Sequence, residues 1–259
     1  MLTIGTADKL LGSLTGAYLG YSYLEHQHGQ CANDSSPIYQ PWLHQQNTPP
    51  DPELSEPRLA VTLPWLLYHH DDSIRRHRWL AHQLASAPVS TASIVDMAIV
   101  LYILGDSLEW IMQCDPAMRD PLPTLCMYLQ QQCLTYPENI IPQVNQLLVR
   151  LNIKSIEADR QIPDQNQPAL DIILAIHQCL NYRENLALAL ANPQAAYRSM
   201  ITGYLLGAWR GISVIPATWL VSLTPDSRQS LIKIAQQLYR TWAGVIQGTG
   251  SLEICPLNF

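Results

Sequence analysis

Three glycines at four-residue intervals mark the stretch that decides the fold, YRSMITGYLLGAWRGISVIP at positions 197–216. On an α-helix, Gly203, Gly207 and Gly211 would lie on one face, because positions four apart are neighbours on a helix surface. Each glycine inside a helix costs about 1 kcal/mol relative to alanine, so the stripe predicts a compensating close contact. The same spacing recurs in LGSLTGAYLG at positions 11–20. We therefore predict that two helices from opposite ends of the chain pack through their glycines.

The composition is that of a globular protein and argues against nucleic acid as a partner. Of the 259 residues, 47% are hydrophobic, which is sufficient for a sizeable core. Only 14% are charged and the net charge is −6, whereas phosphate binding requires clustered cations. The one cationic run, at positions 75–78, is RRHR and follows Asp71 and Asp72. We expect this run to cover a solvated helix face.

The expected location of the protein is the cytoplasm. Its first residues, MLTIG, lack the basic region and apolar run of a signal peptide. The most apolar segment, 97–105, is too short to cross a bilayer, so no membrane span is predicted. The six cysteines are scattered without a CxxC pair, which is typical of reduced and largely buried thiols in a cytosolic protein.

Apolar residues recur at intervals of three and four along most of the chain, and no alternating run typical of a β-strand occurs. The predicted fold class is all-α, with about ten helices in a single domain over residues 1–259. We expect Pro64 to interrupt or shift the second helix, because proline removes a helical hydrogen bond. Besides the glycine-striped helix, the predicted helices are 7–24, 59–68, 73–87, 92–113, 124–134, 139–153, 169–180, 183–191, 217–223 and 226–245.

Two segments lack the helical pattern. Residues 30–57 are rich in Asn, Ser, Gln and Pro, which predicts a long loop. Within this loop, Tyr39 and Trp42 are candidate contacts for a protein partner, because aromatic side chains dominate interface energetics. Residues 247–259 are predicted to form an irregular tail.

Several pieces of the sequence together resemble the ADP-ribosylglycohydrolase family. They are residues 8–20, the helix at 59–68, residues 176–191 running into 201–208, and IPATWL at positions 215–220. The resemblance implies a compact all-α hydrolase that binds two magnesium ions and cleaves ADP-ribose from proteins or small molecules. In that family an aspartate follows the first glycine-rich helix, Thr-Asp-Asp-Thr precedes the next apolar helix, and Gly-Asp-x-Asp-Thr precedes the C-terminal glycine helix. Such carboxylates are the oxygen ligands that hard cations require.

Each of these three places differs in the present chain. The first position is Tyr21, the second place reads SEPR and ends in Glu56, Pro57 and Arg58, and the third reads PQAAY at 193–197. Magnesium retains its waters unless anionic oxygens replace them, and one carboxylate beside an arginine does not offset two divalent ions. We therefore predict that the magnesium pair is lost, with no metal site, no cofactor and no catalytic residue. The candidate degenerate cleft consists of Tyr21, Glu25, His28, Glu56, Arg58, Gln194 and Arg198.

The sequence leaves open the roles of Arg58 in the cleft and of the carboxylate pair Asp106 and Glu109 outside it. Arg58 can pair with Glu56 or with an anionic ligand in place of the metal, or it can form an ordinary surface salt bridge. Asp106 and Glu109 are an i,i+3 pair, which fits an acid–base couple, buried carboxylates with satisfied hydrogen bonds, or positions near the helix surface.

The sequence thus predicts a catalytically inactive, ADP-ribosylglycohydrolase-like protein that binds a protein partner in a regulatory or scaffold role. One alternative is a sensor that binds ADP-ribose or another nucleotide through Arg58 and Arg198. Another is residual glycohydrolase activity with substitute metal ligands.

Overall fold

A computed structural model of the chain describes residues 5–27, 59–86, 92–115, 117–152, 168–191 and 196–244. These residues form α-helices and no strands, which confirms the all-α prediction for this part of the chain. The predicted loop at 30–57 and the tail at 247–259 lie outside the described residues. The eleven helices are α1 (Thr6–Gln27), α2 (Leu59–Tyr68), α3 (Ser73–Ser86), α4 (Ala92–Gln113), α5 (Pro121–Cys133), α6 (Ile141–Asn152), α7 (Pro168–Asn181), α8 (Leu186–Ala189), α9 (Ala196–Arg210), α10 (Ala217–Ser222) and α11 (Pro225–Trp242), and a 3-10 helix (Gly211–Val214) follows α9.

Helices α1 and α9 form the most extensive helix pair in the described part of the chain. They run antiparallel, since Gly16 meets Gly203 whereas Gly20, further along α1, meets Ser199 near the start of α9. At both Gly16 and Gly203, an added Cβ would overlap the carbonyl oxygen of the facing glycine. The predicted contact between the two glycine stripes is confirmed.

Gly211 was expected to belong to the helical stripe, but α9 ends one residue before it. Its φ of 69° lies in the left-handed region, which favours glycine and ends the helix. The residue nevertheless remains in the contact, because a Cβ on Gly12 would lie 2.7 Å from the Cα of Gly211. Gly211 therefore ends α9 and, because it has no side chain, allows α1 to approach closely at Gly12.

Helix α4 is the central helix of the core. Its residues from Met97 to Leu108 are buried, and it packs against α3, α5, α7 and α9. Polar bonds connect the surrounding helices: the hydroxyl of Ser13 donates to the carbonyl of Tyr204 at 2.8 Å, and the Tyr204 hydroxyl donates to the carbonyl of Leu63 at 2.8 Å. These bonds join α1, α9 and α2 around the glycine contact.

Two local predictions were wrong. Helix α2 continues through Pro64 without interruption, and Leu63, Leu66 and Leu67 around it are fully buried, so packing outweighs the lost backbone hydrogen bond. The predicted helix at 183–191 is only the four-residue α8. Its start is set by Asn185, whose side chain accepts a hydrogen bond from the backbone N–H of Leu188.

None of the described helices combines the length and apolarity needed to cross a bilayer. Among the described cysteines, Cys126, Cys133 and Cys179 are buried, Cys114 is partly buried, and all four are free thiols. Burial raises the pKa of the Cys126 thiol to about 11, so this thiol stays protonated at neutral pH.

Candidate binding site

Two of the predicted cleft residues lie at the same end of the α1–α9 pair. Gly20 touches the backbone of Ser199 and Met200. Tyr21 follows Gly20 on α1, and Arg198 precedes Ser199 on α9, so the close backbone contact brings their positions to one place. The Tyr21 side chain is half-buried and packs against the hydrophobic core.

Arg198 forms an ion pair with Asp171 on α7. Its Nε and Nη2 lie 2.9 Å and 2.6 Å from the same carboxylate oxygen, Oδ1. The two side chains are 24% and 18% exposed, so solvent reaches both partners. Asp171 lies in the first turn of α7, where the positive end of the helix dipole stabilises an anion. Arg198 is a cation in the first turn of α9, where the dipole is unfavourable, so it needs an anionic neighbour.

The polar residues next to this ion pair face α1 and α7. The Thr202 hydroxyl lies 2.9 Å from the carbonyl oxygen of Arg198 and 3.1 Å from Oε1 of Gln178. Ser199 is 1% exposed, and its hydroxyl has no hydrogen-bond partner among the described residues. The start of α9 thus carries a guanidinium and two hydroxyls directly after the segment 193–197, where the family resemblance predicts carboxylates.

The other predicted site residues are not placed. Glu25 belongs to α1, but its side chain is not among those that the structure describes. The remaining cleft candidates and both proposed partner contacts lie outside the described residues: His28, Tyr39, Trp42, Glu56, Arg58 and Gln194. Within the described ranges, no three His, Cys, Asp or Glu side chains converge as a metal-binding group.

A second polar group, which we call the Arg76 network, lies between α3, α4 and the turn after α5. Arg76 is 1% exposed, so the prediction that the cationic run covers a solvated face was wrong at this position. Its Nη2 donates to Oδ1 of Asp106 at 2.9 Å and to Oε2 of Glu109 at 2.6 Å. Its Nη1 donates to the carbonyl of His70 at 3.0 Å and to that of His69. The guanidinium thus donates hydrogen bonds to two carboxylates and to two backbone carbonyls just after the end of α2.

Asp106 is the fully buried carboxylate of the network, with 0% of its surface exposed. It accepts hydrogen bonds from Arg76, from Nε2 of His77 at 2.9 Å and from the Tyr136 hydroxyl at 2.6 Å. Burial by itself would raise the pKa of Asp106, but hydrogen bonding and charge from His77, with Arg76 and Tyr136, lower it. Burial together with the Asp106 charge raises the pKa of Tyr136 well above its usual value.

The ring of His77 bridges this network to the surface. The Thr135 hydroxyl donates to the carbonyl of Gln132 at 2.7 Å, so it accepts from Nδ1 of His77 at 3.0 Å. On the other side of the ring, Nε2 lies 2.9 Å from Oδ1 of Asp106. His77 thus links the buried carboxylate to the exposed Thr135.

This arrangement decides among the interpretations of Asp106 and Glu109. Asp106 has no exposed surface and is already an acceptor for three side chains, so no substrate proton can reach it. Asp106 is therefore a buried carboxylate with satisfied hydrogen bonds, whereas Glu109 is 13% exposed and pairs with Arg76. The sequence signal for the network was the conjunction of a cationic run with an i,i+3 acidic pair, but their contact depends on tertiary structure.

A scan against models of known protein families, a search of curated proteins and a search of solved structures each find no match to this chain.

Proposed function

We propose that this protein is a non-catalytic binding protein with an ADP-ribosylglycohydrolase-like fold, and that the degenerate cleft at the start of α9 serves recognition. The observation that carries the proposal is the ion pair between Arg198 and Asp171. Hydrolysis of the family type needs carboxylates that converge on two magnesium ions. Here a guanidinium stands at the start of α9, and the carboxylate nearest to it is already occupied.

Charge supports the absence of metal-dependent hydrolysis at this place. A divalent ion near Arg198 would be repelled by the guanidinium, while Asp171 would have to exchange a hydrogen-bonded ion pair for metal coordination. The unbonded hydroxyl of Ser199 is a neutral ligand and does not compensate this repulsion. Binding without chemistry is the role most compatible with these side chains.

The test is calorimetric titration of the full chain with ADP-ribose, once with excess magnesium and once with a chelator, together with an assay for release of ADP-ribose from a modified protein. We expect no release in either condition. Release that depends on magnesium would refute the proposal and restore the alternative of substitute metal ligands.

A nucleotide sensor is the second candidate, and the geometry of Arg198 favours it specifically. Both guanidinium nitrogens that bond Asp171 converge on one oxygen, so Nη1 remains for an anionic ligand. A sensor predicts ADP-ribose binding that is unaffected by chelator and weakened in Arg198→Gln and in Arg58→Ala. An Arg198→Lys variant is the matched control, because it retains a cation beside Asp171 and limits the loss of stability.

For residues 30–57, the first proposal is that they bind a protein partner. Replacement of Trp42 by alanine is expected to reduce recovery of a bound protein without lowering the melting temperature. Equal recovery of that protein by the wild-type and variant chains would exclude Trp42 from the contact surface.

A further inference from the structure

A cavity of about 410 Å³ lies at the other end of α7 from the Arg198–Asp171 ion pair. Its walls come from the segment before α5, from the first turn of α5 and from the last turn of α7 with the turn that follows. The lining residues are Arg119, Asp120, Pro121, Leu122, His177, Leu180, Asn181 and Arg183. Its volume is within the range of sites for small organic ligands.

Two arginines reach this cavity from different segments. Arg119 is exposed, and among the described residues its guanidinium forms no ion pair. Arg183 is half-buried, and its Nη1 donates to the carbonyl oxygen of Met118, which holds this guanidinium against the segment before α5. The backbone of Arg183 is fixed in turn, because its carbonyl accepts from Nε of Arg210 at 3.1 Å. One cation is therefore positioned by the fold, and its remaining N–H groups can bind an anion.

The start of α5 adds a backbone donor to the same cavity. Asp120 is the N-cap residue of α5, but its side chain makes no capping hydrogen bond. Pro121 and Pro123 have no N–H group, so Leu122 supplies the orphan amide of the first three helical positions. This amide and the positive end of the helix dipole favour an anion beside the two arginines.

The other lining residues restrict the class of ligand. Asp120 places a carboxylate in the cavity, which accepts hydrogen bonds from hydroxyl groups and leaves the two arginines with one positive charge in excess. Leu122 is half-buried and Leu180 is 7% exposed, so the wall between the polar groups is apolar. A bare inorganic anion would use the arginines and the Leu122 amide, whereas a polyol phosphate would use the carboxylate as well.

We propose that this cavity binds a small phosphate ester with free hydroxyl groups, its phosphate held by Arg119, Arg183 and the Leu122 amide and a hydroxyl held by Asp120. This site is separate from the degenerate cleft and does not depend on the function proposed for it.

The experiment is calorimetric titration of the full chain with ribose 5-phosphate at low ionic strength, with inorganic phosphate and free ribose as comparison ligands. We expect saturable binding of the ester. Loss of one charged hydrogen bond in Arg119→Gln should weaken it roughly tenfold. Arg150→Gln is the matched control, because Arg150 is an exposed arginine on α6 that does not line the cavity, and its affinity should equal that of the wild type.

Arg183→Gln should weaken binding by a similar factor, but it also removes the bond to Met118, so its melting curve is needed alongside. Arg119→Gln removes no ion pair to a described residue and keeps the test decisive even if Arg183→Gln is unstable. Asp120→Asn should lower the affinity for the ester relative to that for inorganic phosphate, because it removes the charged acceptor for the hydroxyl, whereas the repulsion between carboxylate and phosphate is lost for both ligands. Equal affinity of Arg119→Gln and Arg150→Gln, or no saturable heat from the ester, would overturn the site. Equal affinity for inorganic phosphate and ester would overturn the role of Asp120.

Discussion

The α1–α9 contact and the Arg76 network achieve close packing by opposite means. In the first, side chains are absent, and Gly16 and Gly203 let two backbones touch. In the second, Arg76 brings a long charged side chain into the core and surrounds it with acceptors. The glycine contact depends on shape alone, whereas the network depends on pairing of buried charges.

The two regions therefore respond differently to substitution. A shape-limited contact fails when any atom is added, whatever its polarity. A charge-compensated network tolerates a change of shape better than the loss of one charge, because the remaining partners stay buried without compensation. This difference can be tested with variants of either region.

The largest effect is expected for Arg76→Met. It leaves Asp106 and Glu109 without their shared cation, and loss of one partner from a buried ion pair costs about 3–5 kcal/mol. The free energy of unfolding, measured by urea denaturation at pH 7, should fall by this amount. Arg78→Met is the control, since Arg78 is exposed on the same helix, and its effect should stay within about 0.5 kcal/mol.

A triple variant of the Arg76 network tests the role of charge compensation more directly. Addition of Asp106→Asn and Glu109→Gln to Arg76→Met removes the uncompensated charges, so part of the lost stability should return. If the triple variant is less stable than Arg76→Met alone, charge compensation is not the reason that Arg76 is buried.

Gly203→Ala should have the next largest effect. Its Cβ would overlap the carbonyl oxygen of Gly16, so the two helices must separate. Overpacking of this kind costs about 1–3 kcal/mol. Gly5→Ala is the matched control, because a Cβ at Gly5 meets no atom within 4 Å. Equal unfolding midpoints for the two variants would show that α1 and α9 are not held as closely as described.

Tyr136→Phe removes one donor from Asp106 while the ring is retained. The carboxylate still accepts from Arg76 and His77, so the expected loss is about 1.5 kcal/mol, at the lower end for hydrogen bonds to charged groups. Urea denaturation is again the measurement. A loss as large as that of Arg76→Met would mean that Tyr136, rather than the guanidinium, determines the stability of the network.

The last prediction concerns the dependence of stability on pH. Burial, together with the nearby Arg75, lowers the pKa of His69 to about 4. The unfolded chain therefore binds a proton at about pH 6.5 that the folded chain binds only near pH 4. Stability contributed by neutral His69 is complete above this window and decreases as pH falls through it. His69→Phe keeps the ring between Trp65 and Tyr68 and should give a flatter stability profile between pH 6.5 and 4.

The comparison also explains which parts of the fold the sequence could predict. Glycines four residues apart are a local pattern, and only close approach of another backbone compensates for their low helix propensity, so the contact between the stripes followed from Gly12, Gly16, Gly203 and Gly207. Arg76 gives no such signal. Its charge argues for exposure, and its partners on α4 are identified only when α3 and α4 are packed together.

The candidate site was predictable to a smaller extent. Sequence comparison with the family motif selected Tyr21 and Arg198, and the glycine contact brings these positions together. Asp171, the partner of Arg198, was not selected, because it lies on a different helix and belongs to no local motif. The cavity that contains Arg119 and Arg183 was missed for the same reason, since its residues come from two separate segments, 119–122 and 177–183.

The pairing of α1 with α9 also determines when the chain can complete its core during synthesis. Helix α1 is synthesised before α9, which begins at Ala196. Until then, α1 lacks its most extensive helix contact, and its apolar residues such as Leu10, Leu11 and Leu14 are not yet covered by α9. Contacts between such distant segments slow folding and leave apolar surface exposed to aggregation. The glycine contact therefore forms late, whatever the helix propensity of either partner.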